Sequence, residues 1–230
     1  MPAEKKATLR ENEPPDLDTD IEAAVAEMER RERTGRAPEF SLPQNRFLFH
    51  RVKADDKARR RGIKSHIRPE NAGGILAHLP VGPDDRTHCV LRGDFVLCDL
   101  IPHVLAAHGE CPHLRIATLG MSVANADTLA CLVERGSVRE LTIVVSHYFQ
   151  QVDKTTTFRM VAARLAGKAK LAVTRSHAKV ILLPTAQGDA YVFEGSANLR
   201  SSDNLEQMLV VNDRETHDFH AAWIDQLTAR

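Results

Sequence analysis

Two short runs hold the residue types that phosphorus chemistry needs. Ser176-His177-Ala178-Lys179 sets an imidazole two residues from an ammonium, and Glu194-Gly195-Ser196-Ala197-Asn198 follows after one more apolar stretch. In an extended chain residues two apart project from the same face, so His177 and Lys179 are expected side by side. An imidazole beside a permanent cation suits a nucleophilic or acid/base group aimed at phosphate, because phosphoryl transfer is mostly positioning and neutralisation of developing charge. Gly195 permits a close backbone approach, while the Ser196 hydroxyl, the Asn198 amide and the loop N–H groups can donate to an anion. The run from Pro184 to Asp189 reads as a hairpin that brings the two pieces together. No metal-ligand set accompanies them, so the expected site works without metal or other cofactor.

These residues resemble the signature of the phospholipase D superfamily, His-x-Lys-x4-Asp followed by Gly-Ser-x-Asn. His177, Lys179, Gly195, Ser196 and Asn198 match it, and Glu206 stands where members keep a carboxylate that orients the histidine. The motif aspartate is missing: position 184 is Pro, and Asp189 lies one residue off the spacing to the glycine. The resemblance implies that His177 attacks phosphorus to give a phosphohistidine, that Lys179 and Asn198 clamp the phosphate, and that a second motif's histidine protonates the leaving group. The chain has one full motif. Its closest internal echo, Ser65-His66-Ile67-Arg68, has Arg in place of Lys and no Gly-Ser-x-Asn after it. The second histidine is therefore expected from His177 of another subunit across a two-fold axis, which makes the protein a homodimer.

The elements that must position these groups alternate between apolar strands and amphipathic helices from about residue 85 onward, the pattern of an α/β sheet with flanking helices. The spacing predicts a helix over 94–108, opened by Asp94, ended by Gly109 and broken or kinked at Pro102. A strand at 114–119, a helix capped by Ser122 and closed by Gly136, and a strand at 141–145 make a parallel β-α-β unit. Asp153 opens a further helix that stops at Gly167. Strands are expected from 171–174, 178–183, 190–194 and 207–212, then a last helix carrying Phe219, Trp223 and Leu227. The fold class is thus α/β, a phospholipase D-like mixed sheet flanked by helices, in a domain at 85–230. Residues 1–84 form an N-terminal extension and basic connector, disordered over 1–18, with a short helix from the Thr19/Glu22 capping box to Gly35.

Composition narrows the substrate class. With 31 basic and 31 acidic residues the chain carries no net charge, so affinity for polyanions must come from local clusters. One cluster lies between Arg51 and Arg68 and includes Arg59, Arg60, Arg61 and Lys64, expected nucleic-acid-binding residues. No apolar run approaches a membrane span, and the charged N-terminus is unlike a signal peptide. The four cysteines form no C-x-x-C pair, which fits a reducing, cytoplasmic compartment. The reading is a metal-independent phosphodiesterase acting on nucleic acid. Its alternatives are a catalytically degenerate descendant kept for nucleic-acid binding or assembly, and a phospholipid-directed hydrolase. His147 and Tyr148, at the end of a predicted strand, are substrate-contact candidates. His108, Cys111 and His113 suggest a metal cluster only loosely, for want of a fourth ligand.

Overall fold

Apolar runs separated by Gly, Pro, Asn and Asp become the strands of one mixed sheet in the computed structural model, which describes residues 64–69, 71–92, 96–151, 155–199 and 204–229. The strands are β1 (Lys64–Ile67), β2 (Arg86–Arg92), β3 (Cys111–Thr118), β4 (Val138–Ser146), β5 (Lys170–Thr174), β6 (Val180–Pro184), β7 (Ala190–Gly195) and β8 (Leu205–Asn212). Their spatial order is β1-β2-β8-β7-β6-β3-β4-β5. β3, β4 and β5 run parallel, whereas β6, β7 and β8 fold back and forth, so that β6 lies antiparallel to β3. The helices are α1 (Leu100–His108), α2 (Val123–Glu134), α3 (His147–Gln151), α4 (Thr155–Leu165) and α5 (Arg214–Thr228). The α/β class and the parallel β3-α2-β4 unit are as expected. No helix among the described residues is long and apolar enough to cross a membrane.

Period-two alternation splits the strand residues between two cores. Leu114 and Ile116 of β3, Ile181 and Leu183 of β6, and Tyr191 and Phe193 of β7 face the larger one, with Val104 of α1, Leu129 of α2, Phe149 of α3 and Val161 of α4. Ala117, Val180, Leu182 and Val192 face the opposite way, onto Ala221 and Ile224 of α5. A strand buried on both faces reads as a continuous apolar run, which is why Val180–Pro184 carries no polar side chain. Two caps start their helices: Ser122 Oγ, as expected, accepts from Asn125 N–H at 3.1 Å, and Asp213 Oδ2 accepts from Thr216 N–H at 3.0 Å. Gly136, at φ 74°, takes the left-handed conformation that follows α2.

Three expectations change. Pro102 neither kinks nor breaks its helix, because α1 begins at Leu100 and places the proline in the first turn, where its missing N–H would have had no intrahelical acceptor. A 3-10 turn, Leu97–Asp99, precedes it. The sheet also starts well before residue 85: β1 pairs parallel with β2, and the Gly73-Gly74 pair expected in an irregular connector lies in a 3-10 helix, Ala72–His78, that buries Ile75. Four residues, Lys-Ser-His-Ile, are too few and too polar to announce a strand by periodicity. Asp94, Asp153, the helix expected over 19–35 and the arginines at 59–61 lie outside the described residues.

α5 is tied to the sheet by a two-pronged ion pair. Arg115 of β3 donates through Nε to Asp225 Oδ1 and through Nη2 to Oδ2, both at 2.8 Å. Hydrogen bonding from Arg115 holds the Asp225 carboxyl below its ordinary 3.8. A depressed carboxylate pKa means that the pair stabilises the fold above pH 3.8 and that this contribution fades as pH falls through the lowered value. Asp225 is 44% exposed and Arg115 13%, so water screens one partner. Asp225→Ala is expected to cost about 1 to 2 kcal/mol in urea unfolding at pH 7, with the gap to the parent narrowing as pH falls below 3.8; a gap that does not change with pH would contradict the ion pair.

Candidate active site

Antiparallel pairing of β6 with β3 brings the start of one strand to the end of the other, Ala117 standing opposite Val180. β7 returns to the same end at Gly195, and β8 departs from it, with Gly195 opposite Met208. Three separate segments, around His177, Ser196 and Glu206, thereby meet where β3 and β4 also finish.

His177 and Lys179 precede β6, whose first residue is Val180, and do not belong to the strand expected from 178. Lys179 is nevertheless tied to the ladder, since Gly195 N–H donates to the Lys179 carbonyl at 3.3 Å. Lys179 Nζ lies 2.8 Å from His177 Nδ1, 3.1 Å from Nε2 and 2.9 Å from the His177 carbonyl. An ammonium has protons and no lone pair, so the ring nitrogen it meets must be bare. Two effects lower the His177 pKa below the usual 6.5: first partial desolvation of a ring that solvent still reaches, then the Lys179 cation. Burial also lowers the Lys179 pKa, against a raising effect from the Glu206 carboxylate. The ring's one lone pair is directed at the Lys179 ammonium, a charge suited to a phosphate oxygen.

The Gly-Ser-x-Asn loop is fastened on both sides. A side-chain carbon at Gly195 would lie 2.1 Å from the Gln207 carbonyl oxygen, so only glycine allows β7 this close to β8. Ser196 N–H donates to that carbonyl, Gln207 N–H donates to Ser196 Oγ, both at 3.0 Å, and the Ser196 hydroxyl donates to Glu206 Oε2. A serine has one hydroxyl proton. Here it goes to Glu206, so Ser196, expected to donate to an anion, anchors the loop to β8. Asn198 Oδ1 accepts from Leu119 N–H at 3.2 Å, which orients its amide and keeps the two Nδ2 protons as donors. Leu199 N–H reaches Thr118 Oγ1 at 3.4 Å, and Asn125 of α2 donates to the Leu199 carbonyl. Thr118, Leu119 and Asn125 are positioning residues that the sequence analysis missed. Their only local signal is a Thr-Leu-Gly ending an apolar strand; the partner loop is 79 residues away.

Other candidates separate cleanly. Glu206, expected to orient His177, takes the Ser196 hydroxyl and puts its charge near Lys179. Pro184 ends β6 at the opposite edge of the sheet, five residues and ~16 Å from Lys179 at the rise of a strand. Asp189 is there too, accepting from Thr185 Oγ1 at 3.1 Å and Asn212 Nδ2 at 2.8 Å, with His108 Nδ1 at 3.4 Å. It clasps the hairpin and has no part in the site. The Ser65–Arg68 echo lies in and just past β1, four strand positions or ~19 Å from β6. It cannot be the second half of this site. His147 and Tyr148 open α3 directly after β4, at the same sheet end and two strand positions from β6, half-buried, with Tyr148 N–H on Ser146 Oγ at 3.2 Å. The loose trio is engaged elsewhere: His108 with Asp189, His113 Nε2 with Thr142 Oγ1 at 2.8 Å, and Cys111 buried with its thiol raised to about 12.

No family model matches the chain, and no curated protein does. Among solved structures it is similar to Nuc, a phospholipase D family member from Salmonella typhimurium, at 18% identity and a TM-score of 0.43 over 54% of this chain and 83% of that one. It is also similar to NucT from Helicobacter pylori, at 16% identity and 0.41 over 62% and 95% of the two chains. A variant of yeast tyrosyl-DNA phosphodiesterase 1 is similar at 14% identity and 0.35, over 54% of this chain and 31% of that one. The chemistry of the site rests on its side-chain geometry and not on these partial likenesses.

Because burial and a neighbouring cation both disfavour the imidazolium, NMR titration of His177 should give a pKa below 6.5. Lys179→Met removes the cation and should move it upward, leaving the share due to burial; a parent value at or above 6.5 would contradict the geometry.

Proposed function

We propose that the protein is a metal-independent phosphodiesterase of the phospholipase D type, with His177 as nucleophile. One observation carries the reading: an imidazole nitrogen held 2.8 Å from the Lys179 ammonium, at the sheet end where the Asn198 amide is also fixed. The phosphate draws the Lys179 ammonium off the ring, the freed ring-nitrogen lone pair attacks phosphorus, a P–N bond forms and the P–O bond to the leaving group breaks. The departing oxygen takes a proton from a second imidazole, which the negative charge of the bound phosphate brings into its imidazolium form. Water, deprotonated by that same second imidazole, then cleaves P–N and restores His177. Lys179 and the Asn198 Nδ2 protons offset the charge that develops on the equatorial oxygens. Ser196 and Glu206 hold the loop that carries Asn198, and Gly195 lets it approach. His147 and Tyr148 flank the phosphate as substrate contacts.

The second imidazole comes from His177 of a second copy in a homodimer. The internal echo at His66 is too far across the sheet to serve, and His177 is solvent-exposed, as a group shared across an interface must be before assembly. The substrate is nucleic acid in a cytoplasmic setting, gripped through its phosphates by the basic run that includes Arg59, Arg60, Arg61 and Lys64. Loss of the motif aspartate does not count against activity, because Pro184 stands at the far end of β6 from the reacting groups.

In EDTA the protein should hydrolyse bis(p-nitrophenyl) phosphate, and His177→Ala or Lys179→Ala should each lower kcat at least ~10³-fold without changing the melting curve. An acid-labile phosphate adduct should map to His177 when turnover is quenched. Unchanged turnover in both variants removes the mechanism, and a strict monomer in sedimentation during turnover removes the shared site.

A further inference from the structure

α5 supports both halves of the site from behind. Ala178, between His177 and Lys179, packs against the apolar cluster that Val180, Val192, Ala221 and Ile224 form on the α5 side of the sheet, and Trp223 packs against that same cluster. Glu194, the residue before Gly195, sends its carboxylate to the same helix: His220 Nε2 lies 2.5 Å from Glu194 Oε1. On the other side of the ring, Trp223 Nε1–H donates to His220 Nδ1 at 3.0 Å. These contacts fix the tautomer, since a nitrogen that accepts from an indole cannot carry a proton of its own. The proton sits on Nε2, facing the carboxylate, and the ring is a neutral bridge from α5 to the end of β7. Its side chain is only 13% exposed, which shields the Glu194 bond from water. Hydrogen bonding from His220 in turn lowers the Glu194 pKa, keeping the acceptor ionised.

Tying Glu194 to α5 matters because the Gly195–Asn198 loop begins at the very next residue. Gly195 is pressed against the Gln207 carbonyl, and Ser196 is bound to Glu206 and Gln207. The loop is thus held to β8 on one side, and Glu194 supplies the tie to the opposite layer. Neither His220 nor Trp223 touches the reacting groups, so any effect they have on catalysis acts through the loop.

We propose that the Trp223–His220–Glu194 hydrogen-bond chain is a positioning device that sets the Gly195–Asn198 loop against His177 and Lys179, and that it transmits anion occupancy of that site to α5. The proposal rests on the phosphodiesterase reading of the site. Trp223 is the chain's single tryptophan, so its emission reports on the device directly.

The test titrates tungstate, a tetrahedral anion, into the full-length protein and follows both the heat of binding and tryptophan emission. Both signals should saturate with the same midpoint. His220→Gln keeps both bonds, because an amide can donate to Glu194 and accept from the indole, and should retain near-parental kcat on bis(p-nitrophenyl) phosphate. His220→Leu removes both bonds and should lower kcat roughly 10- to 100-fold, as expected for a displaced reacting geometry, and it should silence the emission change. Should His220→Leu fail to fold, Trp223→Phe, which keeps an aromatic ring and removes the donor, carries the kinetic arm. Heat of binding without an emission change in the parent, or equal defects in the Gln and Leu variants, overturns the device while leaving the phosphate site intact. Absence of any binding heat overturns the phosphate site and the device together.

Discussion

A hydrogen bond from an ammonium into an imidazole exists only while the ring keeps a bare nitrogen, and the contact between Lys179 and His177 imposes that condition on the site. Lys179 is held for this contact by hanging on β7 through the Gly195 N–H just before β6 begins. Glu206 is near enough to raise the Lys179 pKa, and its Oε2 also accepts from the Ser196 hydroxyl. The Lys179 charge in turn lowers the pKa of the neighbouring ring.

The mixed sheet lets a short chain build this arrangement. In a purely parallel sheet, a site is built from strand C-terminal ends alone. Here β6 runs against β3, so the segment leading into one strand faces the segment leaving another, and Asn198 can reach the backbone of Leu119. Each polar group of the loop then has a partner that leaves a defined remainder. The Ser196 proton is used, the Asn198 oxygen is used, and the Asn198 amide protons are left to donate. Burying a loop with such partners avoids the cost of unsatisfied polar groups, and it selects which atoms face substrate.

The same topology explains why a motif departure can be harmless. Lys179 and Pro184 are close in sequence, and a motif read along a line treats them as parts of one site. The strand β6 lies between them, so they stand at opposite ends of that strand, and the polar cluster at Pro184's end is built from Asp189, Thr185, Asn212 and His108. That cluster closes a hairpin.

By itself the sequence determined the α/β class, the order of strands and longer helices from β3 onward without the short α3, the helix cap at Ser122, and which side chains could do chemistry. Each of these depends on periodicity, caps or spacing within a few residues, which the chain carries locally. β1 escaped because four mostly polar residues show no period, and Pro102 was misjudged because its effect depends on where the first turn begins. Only the tertiary structure decided that Ser196 serves Glu206, that Asn198 leans on Leu119, that Asp189 and His66 stand apart from the site, and that α5 grips Glu194 through His220. Those outcomes depend on which strands become neighbours and which helix covers which face. Packing of the whole chain settles such choices, since residues 79 apart have no local pattern that could pair them.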